Sequence, residues 1–351
     1  MSRLFLSSLS LLLTVGLAGA QPPRVPKNFF QNRQALLKKQ EQAAKNNAGV
    51  ARKILRRMLQ TEMSLAFQAR EVSVGGDGRS TEQWVKRDPK LGIRRESIKP
   101  EGILLIDDRR RQVLVHQKEK RYQESKSQLA EMQKHLQEAL RGEGGMLVVE
   151  LQGTDTIAGR PADVVFVHLG PSGMGPSRRF WVDRETGLRL RMEERAPDSR
   201  ILSNTYYLSL ELSPNFKPDD FVPPPVPAGF RRILDNQKRY KTIEEAARDG
   251  VTVRQPTWLP LGFNLRNIMV AKAAHPRTTL FWGNGLTTLS LVSIASPMPP
   301  LLVRLLKGAE SGIVQPPKGE RSYTWKTSEG YCLLIGNLPD DQLKRIADSV
   351  K

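Results

Sequence analysis

The stretch "RRFWVDRETGLRLRMEER", residues 178–195, reads as two strands around a turn, and after the turn it alternates cleanly. Leu188, Leu190 and Met192 fall on one side, and Arg189, Arg191 and Glu193 on the other. The next segment, "ILSNTYYLSLEL", repeats the pattern with Leu202, Tyr206, Leu208, Leu210 and Leu212 on one side. A period of two predicts half-buried strands. Such a sheet can hold a charged face in water, but its apolar face needs a cover.

Upstream, "SLAFQAREVSV" places Leu65, Phe67, Ala69 and Glu71 together before the phase shifts to Val72 and Val74. "STEQWVKRD", "IRRESIK", "EGILLIDD" and "RQVLVHQKEKRY" follow as short strands at meander spacing, with Leu104, Ile106, Val113 and Val115 on the buried side. "GMLVVELQG" and "GRPADVVFVHLG" are two more. Helical spacing takes over in two places. In "SKSQLAEMQKHLQEALRG", Leu129, Met132, Leu136 and Leu140 share a face and Gly142 stops the helix. From Asn32 to Thr61, only "VARKILRRMLQTEM" has a narrow apolar stripe, of Val50, Ile54, Leu55 and Met58, with Arg52, Lys53, Arg56 and Arg57 largely opposite. A basic amphipathic helix can lie on a membrane or dock on a sheet; so short a stripe favours docking.

Helix, strands, helix, strands, with connections too short for parallel crossovers, predicts an α+β fold, one antiparallel sheet with helices on one face. "SPNFKPDDFVPPPVPAG", residues 213–229, holds six prolines and ends that domain. Beyond it, "TIEEAARDG" opens with a capping box from Thr242 to Glu245. "FNLRNIMVAK", "TTLFWGNG", "LTTLSLVSIA" and "YCLLIG" read as strands, and "LPDDQLKRIADSVK" closes as a helix showing Leu343, Ile346 and Val350. The expected division is a signal peptide over 1–20, a leader over 21–31, a half-barrel domain over 32–222, a stiff linker over 223–232 and a smaller α+β domain over 233–351.

The first residues, "MSRLFLSSLSLLLTVGLAGAQPP", join one charge, Arg3, to an apolar run too short to span a bilayer, and Ala18-Gly19-Ala20 suits cleavage. The expected location is periplasmic or otherwise extracytoplasmic. The net charge of +19 favours anionic partners. Export, together with only 6% aromatics, argues against nucleic acid and leaves peripheral contact with an anionic membrane, an envelope polymer, or charge that serves solubility alone.

Catalytic motifs are missing. His116, His135, His168 and His275 stand at no ligand spacing, so no metal or other cofactor is expected. "GPSGMG" has Met174 where a serine elbow needs glycine, and "GGDGRST" lacks the lysine of a phosphate loop. Asp107-Asp108, Asp219-Asp220 and Asp340-Asp341 fit turns and caps. Cys332, the only cysteine, sits in an apolar strand as a core residue. This is not the sequence of an enzyme. A curved sheet under narrow helices instead encloses an apolar concavity, either open to a ligand or filled as an ordinary core. Leu65, Phe67, Leu190, Met192, Leu208 and Leu210 are its candidate ligand-binding wall.

Several stretches resemble the RseB/MucB family of periplasmic sigma-factor regulators, whose first domain shares the fold of the lipoprotein carriers LolA and LolB. They are "IAGRPADVVFV", "RRFWVDRETGLRLRMEE", "LSPNFKPDDFVPPP", "QPTWLPLGFNL" and "IGNLPDDQLKRIADSVK", in the family's order and spacing. The resemblance implies an open antiparallel β half-barrel over helices, followed by a smaller domain. It also implies a sensor that binds the periplasmic part of a membrane anti-sigma factor, protects it from proteolysis, and releases it when a lipid or lipoprotein acyl chain binds. The helix over 32–61 is longer and more basic than the family pattern, and no short motif maps its binding surface. The function expected is a non-enzymatic envelope regulator of this kind. A LolA-like lipid carrier and a basic scaffold for anionic polymers are the alternatives.

Overall fold

The structure, a computed structural model, describes residues 29–129, 147–169, 176–234, 237–271, 276–295, 311–314 and 321–351. The signal segment, the helix expected after Leu129, His135 and His275 lie outside them. Helix α1 runs Phe29–Ser64 and leads within three residues into the first strand. Among the described residues no helix is long and apolar enough to cross a membrane.

The first sheet has twelve strands: β1 (Phe67–Gly75), β2 (Ser80–Asp88), β3 (Gly92–Lys99), β4 (Ile103–Asp107), β5 (Arg111–His116), β6 (Arg121–Lys126), β7 (Leu147–Ile157), β8 (Arg160–Leu169), β9 (Ser177–Asp183), β10 (Arg189–Arg195), β11 (Ile201–Leu212) and β12 (Arg231–Leu234). Their spatial order, β12-β6-β5-β4-β3-β2-β1-β11-β10-β9-β8-β7, is two hairpin meanders fused where β1 meets β11. All pairings are antiparallel except that of β12 with β6, and the two ends do not meet. The expected open antiparallel half-barrel is therefore the architecture observed.

The second sheet contains β13 (Lys238–Tyr240), β14 (Asn264–Ala271), β15 (Arg277–Gly283), β16 (Thr288–Ala295), β17 (Ser311–Val314), β18 (Arg321–Thr327) and β19 (Gly330–Gly336), ordered β13-β14-β15-β16-β19-β18-β17. Helices α2 (Ile243–Arg248) and α3 (Asp340–Asp348) flank it. The Thr242 hydroxyl accepts the Glu245 N–H at 3.2 Å, the cap read from the sequence, while the Glu245 carboxylate accepts from Lys241 rather than Thr242. Leu343 and Ile346 of α3 are fully buried against Leu280, Leu289, Leu291 and Leu334.

Opposite residues of an antiparallel pair share a face, which allows the cover of the first sheet to be traced. Ile106 pairs with Val113, and Leu104 with Val115, so these four do share a side. Among the described residues, that side is covered by the proline-rich segment. Asp220 in the 3₁₀ turn Pro218–Phe221 takes a 2.7 Å bond from Lys86, Phe221 is buried, and the Tyr122 hydroxyl donates to the Pro224 carbonyl at 3.1 Å. Phe230 packs on Val113, Val115 and Tyr122, and β12 then pairs with β6. Proline cannot donate to a ladder but keeps its carbonyl and extended shape, so the segment expected as a stiff linker runs extended and strapped across the sheet. Helix α1 covers the opposite face at the other half, over β7 to β10. Residues 47–351 form one compact unit.

The hairpin of the opening motif turns on Asp183. Its fully buried carboxylate accepts Arg160 Nε at 2.5 Å, Nη2 at 3.2 Å, and the backbone N–H groups of Glu185 and Thr186 at 3.0 and 2.7 Å. Burial pushes its pKa up, but Arg160 and Thr186 outweigh that and hold it below the usual carboxylate value. A depressed folded pKa contributes stability that is present above the unfolded value, about 3.9, and fades as pH falls through the folded one. Asp183→Asn should therefore cost about 3 kcal/mol at neutral pH. By urea denaturation, the gap to the parent chain should close as pH drops below about 4; a pH-independent gap would refute the assignment.

Candidate functional site

The six residues expected as the apolar wall divide between two clusters and the surface. Leu65, Phe67, Leu190 and Leu210 join Ala69, Val85, Leu188, Trp181 and Tyr207 in one cluster. Met192 belongs to a second cluster, beneath α1, with Ala51, Met58, Val165, Phe180 and Val182. Leu208 is 46% exposed and joins neither.

Two bulges explain the difference, because an extra residue in one strand swaps the faces of everything beyond it. On β10, Arg189 pairs with Val182 and Arg191 with Trp181, leaving Leu190 as the extra residue. Arg189 consequently turns to the helix side and meets Glu62 of α1 at 3.1 Å, while Arg191 stays outside with its guanidinium 4.2 Å over the Trp181 ring. On β11, Tyr207 pairs with Glu71 and Ser209 with Arg70, leaving Leu208 unpaired. Leu202 and Tyr206 thus lie on one face and Leu210 and Leu212 on the other, correcting the single-sided reading of this strand. Tyr207, which alternation placed outside, is 7% exposed and stacks on Phe67 at 5.7 Å between ring centroids.

The helix side is also less apolar than its leucines suggest. Glu71, 4% exposed, accepts from Gln83 at 2.6 Å and Arg95 at 2.9 Å. Burial first, then Glu71, raises the Tyr207 phenol far above its ordinary value, so it stays a neutral donor. Glu62 raises the Arg189 pKa, whereas burial lowers that of Arg87 nearby. Outside, Glu193 is buried with Arg195, Arg191 and Arg179 around it at 2.7, 3.5 and 3.7 Å. Neither charges under the helix nor a buried carboxylate outside is visible in a binary pattern; the only clue is that Arg189 follows a run able to bulge.

Helix α1 is held by the β9–β10 turn. Arg57 donates to the carbonyls of Arg184, at 3.1 Å, and Glu185, and Thr61 to that of Thr186 at 2.8 Å. Gly187 sits at φ +81°, and a Cβ there would stand 2.8 Å from the Arg57 side chain, so the turn needs glycine twice over. The second sheet adds a plug. Leu286, at the tip between β15 and β16, is 5% exposed among Ala51, Met58 and Val149, and Asn284 Oδ1 accepts the N–H groups of Leu286 and Thr287 at 3.0 and 2.9 Å to shape the tip.

Phe67 and Leu190, at 3% and 1% exposure, leave little room for a guest. Two cavities among the described residues are a polar one of about 320 Å³, lined by Lys86, Arg94, Glu96, Lys217, Asp219 and Asp220, and one of about 10 Å³ beside Met63, Ile93 and Leu129. No three His, Cys, Asp or Glu side chains gather among the described residues to hold a metal. His168 is buried, 3.9 Å from Glu150 and paired across the ladder with Ser177.

A family model described as the MucB/RseB N-terminal domain matches residues 50–225. Two solved structures share the fold across 86% of this chain and 98% of theirs, each at 20% identity and a TM-score of 0.56. One is MucB in complex with MucA(peri), the other the MucA/MucB complex of Pseudomonas aeruginosa. Comparison with curated proteins gives no match.

Substitution separates wall from surface. Leu208→Asp should change stability by no more than about 0.5 kcal/mol, whereas Leu190→Asp, an unpaired charge in the core, should abolish the cooperative transition. Leu286→Ala should cost about 2–4 kcal/mol in urea denaturation. A collapse caused by Leu208→Asp would contradict the bulge.

Proposed function

The chain belongs to the MucB/RseB family, and from that premise we propose that it is an exported, non-enzymatic regulator that holds the periplasmic segment of a membrane anti-sigma factor. Members of the family are periplasmic, and membership supports a regulator or carrier type of protein. The observation carrying the finer reading is the MucB fold over 86% of the chain, in a relative solved with the periplasmic part of the anti-sigma factor MucA. The segment over 1–20 serves as the export signal in this reading.

A carrier needs an apolar hollow that opens and closes around its cargo. Here Phe67, Leu190 and Leu188 are already buried by their neighbours, and α1 is tied down by carbonyl bonds and the Glu62–Arg189 pair. Those facts favour holding a protein over carrying a lipid. An acyl chain, from a lipid or a lipoprotein, then enters as a releasing ligand and not as cargo.

Calorimetric titration of the purified chain with the periplasmic segment of its source's own single-span anti-sigma factor tests this. Saturable binding at micromolar affinity or better, about −8 kcal/mol, is expected. Absence of binding would overturn the regulator reading. Stoichiometric acyl lipid in a solvent extract of the same preparation, with no segment bound, would establish the carrier instead.

A further inference from the structure

The apolar stripe of α1 is spent on the sheet: Ala51 and Met58 are 0% and 2% exposed, with Ile54 and Leu55 packed beside them. Its outer side is different. Arg52, Lys53 and Arg56 are exposed and have no ion-pair partner among the described residues. At 100° per residue the three fall within one quadrant or so of the helix, roughly opposite Ala51, Leu55 and Met58. Gly49 shares that side, with open space around it. Elsewhere the arginines are mostly engaged: Arg160, Arg178, Arg184 and Arg189 each meet a carboxylate within 3.1 Å.

The charge count sharpens the contrast. Residues 21–61 contain ten Lys and Arg against the single acid Glu41, which is nearly half the net charge of +19 in little more than a tenth of the chain. No acid occurs between Glu41 and Glu62. Neither cavity of the described residues is lined by Arg52, Lys53 or Arg56, so these groups suit a broad anionic surface better than a small anion. In a periplasmic family, bilayer faces are among the extended anionic surfaces at hand.

We propose that the outer face of α1, through Arg52, Lys53 and Arg56, binds the anionic headgroups of a phospholipid bilayer by charge alone, without insertion. The helix does not insert, because the residues that would enter the bilayer are already packed on the sheet. Adsorption is therefore electrostatic: each cation near an anionic surface adds a comparable increment, and salt removes it. The proposal is independent of the anti-sigma reading, since a bilayer without protein suffices to test it.

The test is co-sedimentation of the full chain with vesicles of phosphatidylcholine alone and of phosphatidylcholine with about a quarter phosphatidylglycerol. Binding is expected only to the anionic vesicles, falling steeply as salt rises from about 0.1 M to about 0.5 M. The triple variant Arg52→Gln, Lys53→Gln, Arg56→Gln should bind about a hundredfold more weakly, with unchanged circular dichroism and thermal unfolding. A control that removes the same charge elsewhere, Arg110→Gln, Lys118→Gln, Lys344→Gln, should retain most of the binding. Equal loss in both variants would assign the effect to net charge and overturn the surface. So would binding to neutral vesicles, or binding to soluble polyglutamate with none to vesicles.

Discussion

Everything in the first sheet hangs on the ladder between β1 and β11. It closes two meanders into one sheet by pairing residues far apart in sequence; Ser73 and Thr205, whose hydroxyls meet at 2.9 Å, are 132 positions apart. Without it, β1–β6 and β7–β11 would be separate antiparallel ribbons, each with an exposed edge, a standing hazard for wrong pairing. The bulge at Leu208 lies within this ladder. It brings Tyr207 to the side of Glu71 and Ala69, so the seam itself decides which residues α1 and its neighbours meet.

The sheet then solves its covering problem twice, on opposite faces. At the β7–β10 half the cover is a helix, seated by Met58 and by the turn carbonyls that Arg57 and Thr61 grip. Toward β2–β6 the cover among the described residues is a 3₁₀ turn and an extended segment, seated by Asp220, Phe221 and Phe230. A twisted sheet presents different directions at its two ends, so one layer of helices need not serve both. The proline-rich composition suits the second role, because an extended segment with few N–H donors asks little of the strands it crosses.

Much of this was legible beforehand. Strand and helix spacing located the meanders, Thr242 announced the cap of α2, and Ile106 with Val113 gave one buried side correctly. What failed was phase. Alternation reports a face only while the register runs unbroken, and each of Leu190 and Leu208 inserts one residue that no hydrophobic count reveals. Of the six wall residues, Leu208 is the exposed one and is itself the extra residue of a bulge, whereas Met192 packs beneath α1. The segment after Phe221 is extended, as its prolines imply, but its attachment was not legible, because the Pro224 carbonyl that Tyr122 uses and the pairing of Arg231–Leu234 with β6 leave no mark in the composition.

The charges left on the helix side bear directly on what this fold can do. Removing one partner of a partly buried ion pair is costly even where the pair itself adds little, so displacement of α1 would leave Arg189 without Glu62, while Glu71 and Arg95, both on the sheet, would keep each other. A purely aliphatic guest supplies no replacement for Glu62. A ligand combining an acyl chain with charged groups, or a peptide carrying both, does. Leu286 adds a second condition, because any guest reaching Met58 and Val149 must first expel the tip of the other sheet. Displacing α1 would therefore also disturb the seating of the Leu286 tip.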